Sequence, residues 1–205
     1  MGNIYILPMT TQVLNRSQHR PRTGLSLVGD LTLSKTRLHE CCGRARQLFA
    51  LMLAAQTEGP VFWISPAWMP DQLNPDGMVS LIDPTRFLFV HPQRPEDILW
   101  TLEEILRSGA APLAVADIPG LPGLTPVRRL HLAAETGANE GQYQPLGLAL
   151  TPGDGGAQGV ESRWRLDPAH TPEAEGWRLK RLRSRTDPVA EWHLQRDKQG
   201  FQIAV

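Results

Sequence analysis

The sequence predicts an α/β fold: a mostly parallel sheet flanked by helices, with an antiparallel C-terminal edge. Three observations carry this. Val61–Ile64, Phe87–Val90, Leu113–Ala116 and Leu146–Leu150 are short continuous apolar runs, which suit strands buried on both faces. Helical periodicities separate most of them, and strand alternating with helix implies parallel pairing. Beyond residue 160 the pattern changes: Arg163–Leu166, Trp177–Arg183, Val189–Gln195 and Phe201–Ala204 follow without a helix between them, as in an antiparallel extension.

Residues 1–24 form a flexible N-terminal segment in this reading, and residues 25–205 form one domain. Within the first segment Ile4-Tyr5-Ile6-Leu7 is an apolar cluster that docks on this domain or on a partner, and Asn15–Arg22 is polar and basic. Leu25–Leu33 reads as a loop around Gly29-Asp30. Arg37–Cys41 alternates as a strand, Gly43 turns the chain, and Arg44–Gln56 is a helix whose apolar residues cover most of its circumference. Glu58-Gly59-Pro60 stops it. Four prolines lie between residues 65 and 86, with a short helix expected near Gly77–Ile82. Pro95 suits the first helical position, Glu96 and Asp97 suit the positive helix end, and Ile98, Leu99, Leu102, Ile105 and Leu106 make an amphipathic helix ending at Gly109. Thr125-Pro126 reads as cap and first turn of a helix Val127–Thr136 that stops at Gly137. Thr151–Gly159 holds four glycines in nine residues and is expected to be mobile.

Composition narrows the function classes. The chain has 205 residues, 41% of them apolar, enough for one core. It has no apolar run long enough for a membrane span and no secretory signal pattern at its start, so the expectation is a cytoplasmic protein without a membrane partner. The two cysteines, Cys41 and Cys42, are adjacent; they make no disulfide framework, and with His39 they lack the spacing of a zinc site. Lys and Arg number 21, as do Asp and Glu, but residues 1–46 hold seven basic against two acidic, residues 47–160 five against twelve, and residues 161–205 nine against seven. That is not the excess of a strong duplex-DNA binder. It permits a local basic patch or docking to a charged partner.

The chemistry begins with something missing. Strand, glycine turn, helix, strand is how a phosphate-binding P-loop domain opens, yet Gly43 is followed by Arg44-Ala45-Arg46-Gln47, without the further glycines, Lys and Ser/Thr that cradle phosphates and magnesium. Asp117 ends a strand where a magnesium-binding aspartate would sit, or simply caps the next turn. Ser65-Pro66 offers no carboxylate to activate water. The six histidines are scattered, and no nucleophile elbow is present. We therefore expect no catalytic residue, metal or cofactor, with Gly43 and Asp117 as vestigial nucleotide positions. The densest chemical feature is Arg178, Lys180, Arg181, Arg183 and Arg185, five cations in eight residues beside Trp177 and Trp164. A basic strand with aromatics can track a phosphate backbone and stack bases; the competing reading is an edge strand guarded by charge. Arg128-Arg129 reads as an exposed helix face.

Several stretches together resemble the ImuA family, the RecA-like accessory proteins of bacterial mutagenesis operons, which are also grouped with SulA-like cell-division inhibitors. They are TRLHECCGRARQLFALML, EGPVFWISP, FLFVHPQRPEDILWTLEEILRSGAAPLAVAD, PVRRLHLAAETG and SRWRLDP…GWRLKRLRSRTDPVAEWHLQRD. The resemblance spans residues 25–197 and implies a RecA-like core with a degenerate P-loop. It puts Gly43 where a recombinase's phosphate loop opens, Asp117 on the magnesium aspartate, Ser65-Pro66 at the water-activating glutamate, and Gly153–Gly159 on a DNA-binding loop, here without Lys or Arg. It implies a role in SOS-induced translesion synthesis, with an inactive polymerase-like mutagenesis protein (ImuB-like) and an error-prone DNA polymerase as partners, and RecA or DNA as further candidates. The alternatives are a SulA-like division inhibitor and a weak nucleotide-binding ATPase.

Overall fold

The computed structural model describes residues 24–69, 71–197 and 200–204. Its elements follow in the order β1 (Gly24–Val28), β2 (Leu31–Ser34), β3 (Leu38–Cys42), α1 (Arg46–Ala55), β4 (Val61–Ile64), α2 (Pro75–Met78), a 3₁₀ turn (Pro84–Arg86), β5 (Phe87–Val90), α3 (Pro95–Ser108), β6 (Leu113–Asp117), α4 (Leu124–Glu140), β7 (Leu146–Leu150), β8 (Ser162–Pro168), β9 (Gly176–Ser184), β10 (Ala190–Asp197) and β11 (Gly200–Ile203). Nine strands form one sheet in the order β11-β10-β9-β8-β3-β7-β6-β4-β5. Strands β5, β4, β6, β7, β3 and β8 pair in parallel, and β8, β9, β10 and β11 pair antiparallel. The α/β expectation therefore holds, with one refinement: β8, expected in the antiparallel extension, joins β3 in parallel, and the sheet turns antiparallel only at β9.

Successive strand residues face opposite ways, and the two faces carry different layers. Trp63, Leu113, Val115, Leu148, Cys41, Trp164 and Leu179 face α1 and the β1–β2 hairpin. Leu38, Ile64, Ala114, Ala116 and Ala149 face α3 and α4, with Leu102, Leu106, Leu130 and Ala134 above them. The small alanines on this second face let two helices sit close over the sheet. Helices α3 and α4 cover β4, β6, β7 and β3. Beyond β3 the same face is left to Arg178, Lys180, Glu191 and His193, all exposed or half-buried.

Four local expectations are corrected. Leu25–Leu33 is a hairpin rather than a loop, because Leu25, Leu27 and Leu33 alternate with Ser26 and Thr32 and bury against α1. The short helix lies at Pro75–Met78, capped by the Asn74 side chain on the Asp76 N–H (3.1 Å), rather than at Gly77–Ile82. Helix α1 starts at Arg46 instead of Arg44. Helix α4 starts at Leu124 and runs through Gly137 to Glu140. Gly137 is no stop: a Cβ there would lie 2.0 Å from the Leu106 carbonyl oxygen, so the glycine is where α3 and α4 touch backbone to backbone. Residues 1–23 of the expected flexible segment lie outside the described residues, and Gly24 already belongs to β1.

Candidate functional site

The carboxyl ends of parallel strands are where α/β sheets of this kind take ligands. Gly43 follows β3 there with φ +92°, and a Cβ at this position would stand 2.5 Å from the Leu166 carbonyl oxygen of β8. The turn is thus pressed onto the neighbouring strand, and two of its backbone donors are already taken. The Ala45 N–H donates to the Leu166 carbonyl (2.9 Å) and the Arg44 N–H to Asp167 Oδ1 (3.0 Å). Asp167 also receives Arg165 Nε at 2.5 Å, and Arg165 reaches Asp154 as well. Partial burial works against ionisation of Asp167, but the Arg165 guanidinium and the Arg44 N–H hold its carboxyl below the ordinary value. Where a phosphate loop would offer N–H groups to a nucleotide, the chain supplies its own carboxylate.

Asp117 reaches the same edge at the end of β6 and is 1% exposed. Its oxygens face Arg46 Nη2 (3.5 Å) and Gln47 Nε2 (3.5 Å), both in the first turn of α1. Burial raises its pKa, and Arg46 opposes the rise. Ser65, at the end of β4, is buried, donates to Gln72 Oε1 (3.2 Å) and accepts His91 Nδ1 on its carbonyl (3.0 Å). The structure brings Gly43 and Asp117 to one edge and engages each with neighbouring groups. A guanidinium, not an open oxygen-lined space, stands against Asp117, so these residues do not fit a magnesium nucleotide.

Sequence reasoning misses the most heavily bonded charge nearby. Glu40, in the middle of β3, is fully buried. Its Oε1 accepts from the Thr151 hydroxyl (2.7 Å), the Gly156 N–H (2.7 Å) and the Ala157 N–H (3.1 Å), and its Oε2 meets Arg163 Nε at 2.5 Å. Arg163 also donates to the Ala157 carbonyl (2.9 Å). The glycine-rich stretch 151–159, expected to be mobile, is therefore pinned to the sheet. The available signal is a glutamate inside an otherwise buried strand, a position that requires partners.

The five cations of the basic strand do not form one surface. A register shift between Arg163 and Trp164 pairs Trp164 with Arg181 and Arg163 with Arg183, leaving Leu182 as the extra residue. Arg181 consequently falls on the α1 side, its guanidinium 5.5 Å from the Trp164 ring and 5.2 Å from the Trp192 ring, with Nε donating to the Pro188 carbonyl (2.9 Å). Arg178 and Lys180 lie on the other side and share Glu191 at 3.4 and 2.9 Å. Arg185 faces Glu161 at 3.5 Å. Arg183 is exposed and has no acceptor among the described residues.

Other polar groups of the core bond to one another. The Trp164 indole N–H donates to Ser162 Oγ (2.7 Å), which lies 2.7 Å from His39 Nδ1, while His39 Nε2 meets the Ser34 carbonyl at 2.8 Å. Burial lowers the His39 pKa to about 4, keeping the ring neutral. Burial likewise pushes the Cys42 thiol up to about 11. Among the described residues no group of three or more His, Cys, Asp or Glu could hold a metal ion, and no helix is long and apolar enough to cross a membrane. No protein-family model matches this sequence, and no curated protein matches it.

Proposed function

We propose that the chain is a non-catalytic, RecA-like accessory protein of SOS-induced translesion DNA synthesis. It would act through contacts with an inactive polymerase-like mutagenesis protein and an error-prone polymerase, with weaker contact to DNA through the exposed cations of β9. The observation that carries the non-catalytic part is the occupancy of the nucleotide positions. Asp167 and the Leu166 carbonyl take the N–H groups of the Gly43 turn, and Arg46 stands against Asp117. Support for the RecA-like part is the resemblance together with a parallel sheet that sets Gly43, Ser65 and Asp117 along one edge. Exposed Trp100 on α3, and Leu88 and Phe89 on edge strand β5, are apolar surface a protein partner can cover.

Isothermal titration with ATP and magnesium tests the first part: the expected result is no heat of binding, and a micromolar dissociation constant overturns it. Co-purification with the polymerase-like protein tests the second. Failure to capture it, together with filamentous cells on overproduction, would favour the division-inhibitor alternative. For DNA contact the informative variants are Lys180→Glu and Arg183→Glu, because Arg181 lies over two adjacent indoles on the opposite side of the sheet.

A further inference from the structure

A cleft of about 280 Å³ opens between α4, the start of β3 and the end of β9, lined by Arg37, Arg128, His131, Leu132, Glu135 and Arg185. Three guanidinium groups converge on it from three separate elements. Glu135 meets Arg37 at 2.5 Å, and Glu161 lies 3.9 Å from Arg37 and 3.5 Å from Arg185. These two carboxylates balance two of the three cations. The third, Arg128, is exposed and has no acceptor among the described residues. In the same cleft His131 Nε2 is buried without a hydrogen-bond partner. An exposed unpaired guanidinium and a second one 56% exposed around one cavity are complementary to an oxyanion with several acceptor oxygens, and the unpartnered ring nitrogen beside them can join in once it is protonated.

We infer that this cleft seats a phosphate group of a single-stranded nucleic-acid backbone. Arg128 and Arg185 would donate to its oxygens, and the phosphate charge would draw a proton onto His131 Nε2, which the neutral ring, its one N–H held by the Gly159 carbonyl, leaves as a bare lone pair. Single-stranded rather than duplex nucleic acid follows from what adjoins the cleft. Arg183 and Lys180 continue from Arg185 along one strand on the uncovered face, at steps of about 3.4 Å per residue. Their neighbours across β8, Arg163 and Arg165, are held by Glu40, Asp154 and Asp167, so the cations of β9 make a line one backbone wide, and the chain's net charge is zero. Leu132, 62% exposed at the rim, offers a base an apolar contact. The inference rests on the reading that this protein meets DNA, and it moves the principal contact from β9 to α4.

The test is fluorescence anisotropy of a labelled oligothymidylate with the full chain at low salt. Arg128→Glu, on an exposed helix face, should weaken binding by about tenfold and lower the salt slope by ~0.7 for each phosphate no longer neutralised. Arg185→Gln should act in the same direction, and Lys180→Glu by less. In a parallel NMR titration the oligonucleotide should raise the His131 pKa from its value of about 4, which burial sets and the Arg37 and Arg185 charges lower further, while the hydrogen bond to the Gly159 backbone and Glu135 oppose them. Binding that ignores Arg128→Glu but is abolished in Lys180→Glu overturns the cleft and leaves the β9 contact standing. Absence of oligonucleotide binding by the parent chain overturns both contacts without touching the ATP or polymerase tests. A His131 response to inorganic phosphate alone, with no oligonucleotide binding, overturns the nucleic-acid source.

Discussion

Replacing Glu40 by Gln should cost this protein a large part of its stability and loosen the glycine-rich loop at the same time. The carboxylate is fully buried and answers four donors, three of them from residues 151–157 and one from Arg163, whose side chain is 18% exposed. Gln keeps the size and one acceptor oxygen, so the Thr151, Gly156 and Ala157 donors can stay satisfied. Its amide N–H₂, however, would point at the Arg163 guanidinium, donor against donor, and leave a largely buried charge unpaired. Breaking a buried pair from one side costs about 3–5 kcal/mol, against a total stability of about 5–15 kcal/mol for a domain. Urea unfolding followed by tryptophan fluorescence should show the midpoint falling at unchanged slope, and limited proteolysis should open a cut within residues 151–159. A cycle with Arg163→Met separates the pair from its surroundings. The double variant should be more stable than the two single losses added together. A Glu40→Gln loss below about 1 kcal/mol, or strict additivity in the cycle, would refute the claim that this ion pair anchors the loop.

Stability should fall on the acid side of neutrality because of His39. Its folded pKa of about 4 lies below the ordinary 6.5, so between these values the unfolded chain takes a proton that the folded one refuses. The contribution is complete above pH 6.5 and is lost as pH falls towards 4, reaching roughly 3 kcal/mol. His131 and Asp167 act in the same direction, and Asp117, raised by burial, offsets part of it. A His39→Gln variant should flatten the acid limb of a denaturation-versus-pH series; an unchanged limb would remove His39 as the cause. Gly43→Ala should destabilise by at least about 2 kcal/mol, combining a left-handed conformation with a methyl group forced onto a backbone oxygen. Gly153→Ala is the control, since its φ is +61° but nothing lies within 4 Å of the added carbon. Equal losses in the two variants would mean that the approach of the turn to β8 contributes nothing.

Much of the architecture is legible locally. Val61–Ile64 and Leu146–Leu150 are strands at the bounds their apolar runs suggest, because a strand buried on both faces writes its burial directly into composition; Phe87–Val90 has the expected bounds but not the expected burial, since it lies at the sheet edge with Leu88 and Phe89 exposed. Helix α3 is equally plain: Pro95 opens it, a stripe of Ile and Leu faces the sheet, and Gly109 in the left-handed region ends it. The incomplete phosphate loop is also visible, since missing Gly, Lys and Ser/Thr residues are a property of the string. The partners of the remaining groups are not. Glu40 meets donors 111 to 123 positions away, and Asp167 closes the Gly43 turn from 123 positions further along than Arg44. Arg181 reads with its basic neighbours, but one extra residue at Leu182 turns it onto the opposite face from Lys180 and Arg183, over two adjacent indoles. Gly137 carries the mark of a helix stop and is instead a crossing point, because only the position of α3 decides that its missing Cβ is needed there. Periodicity and composition record whether a residue is buried and which local shape it prefers. The register between strands far apart in the chain, set by packing of the whole sheet, decides which polar groups meet, and so decides what kind of site this edge of the molecule can be.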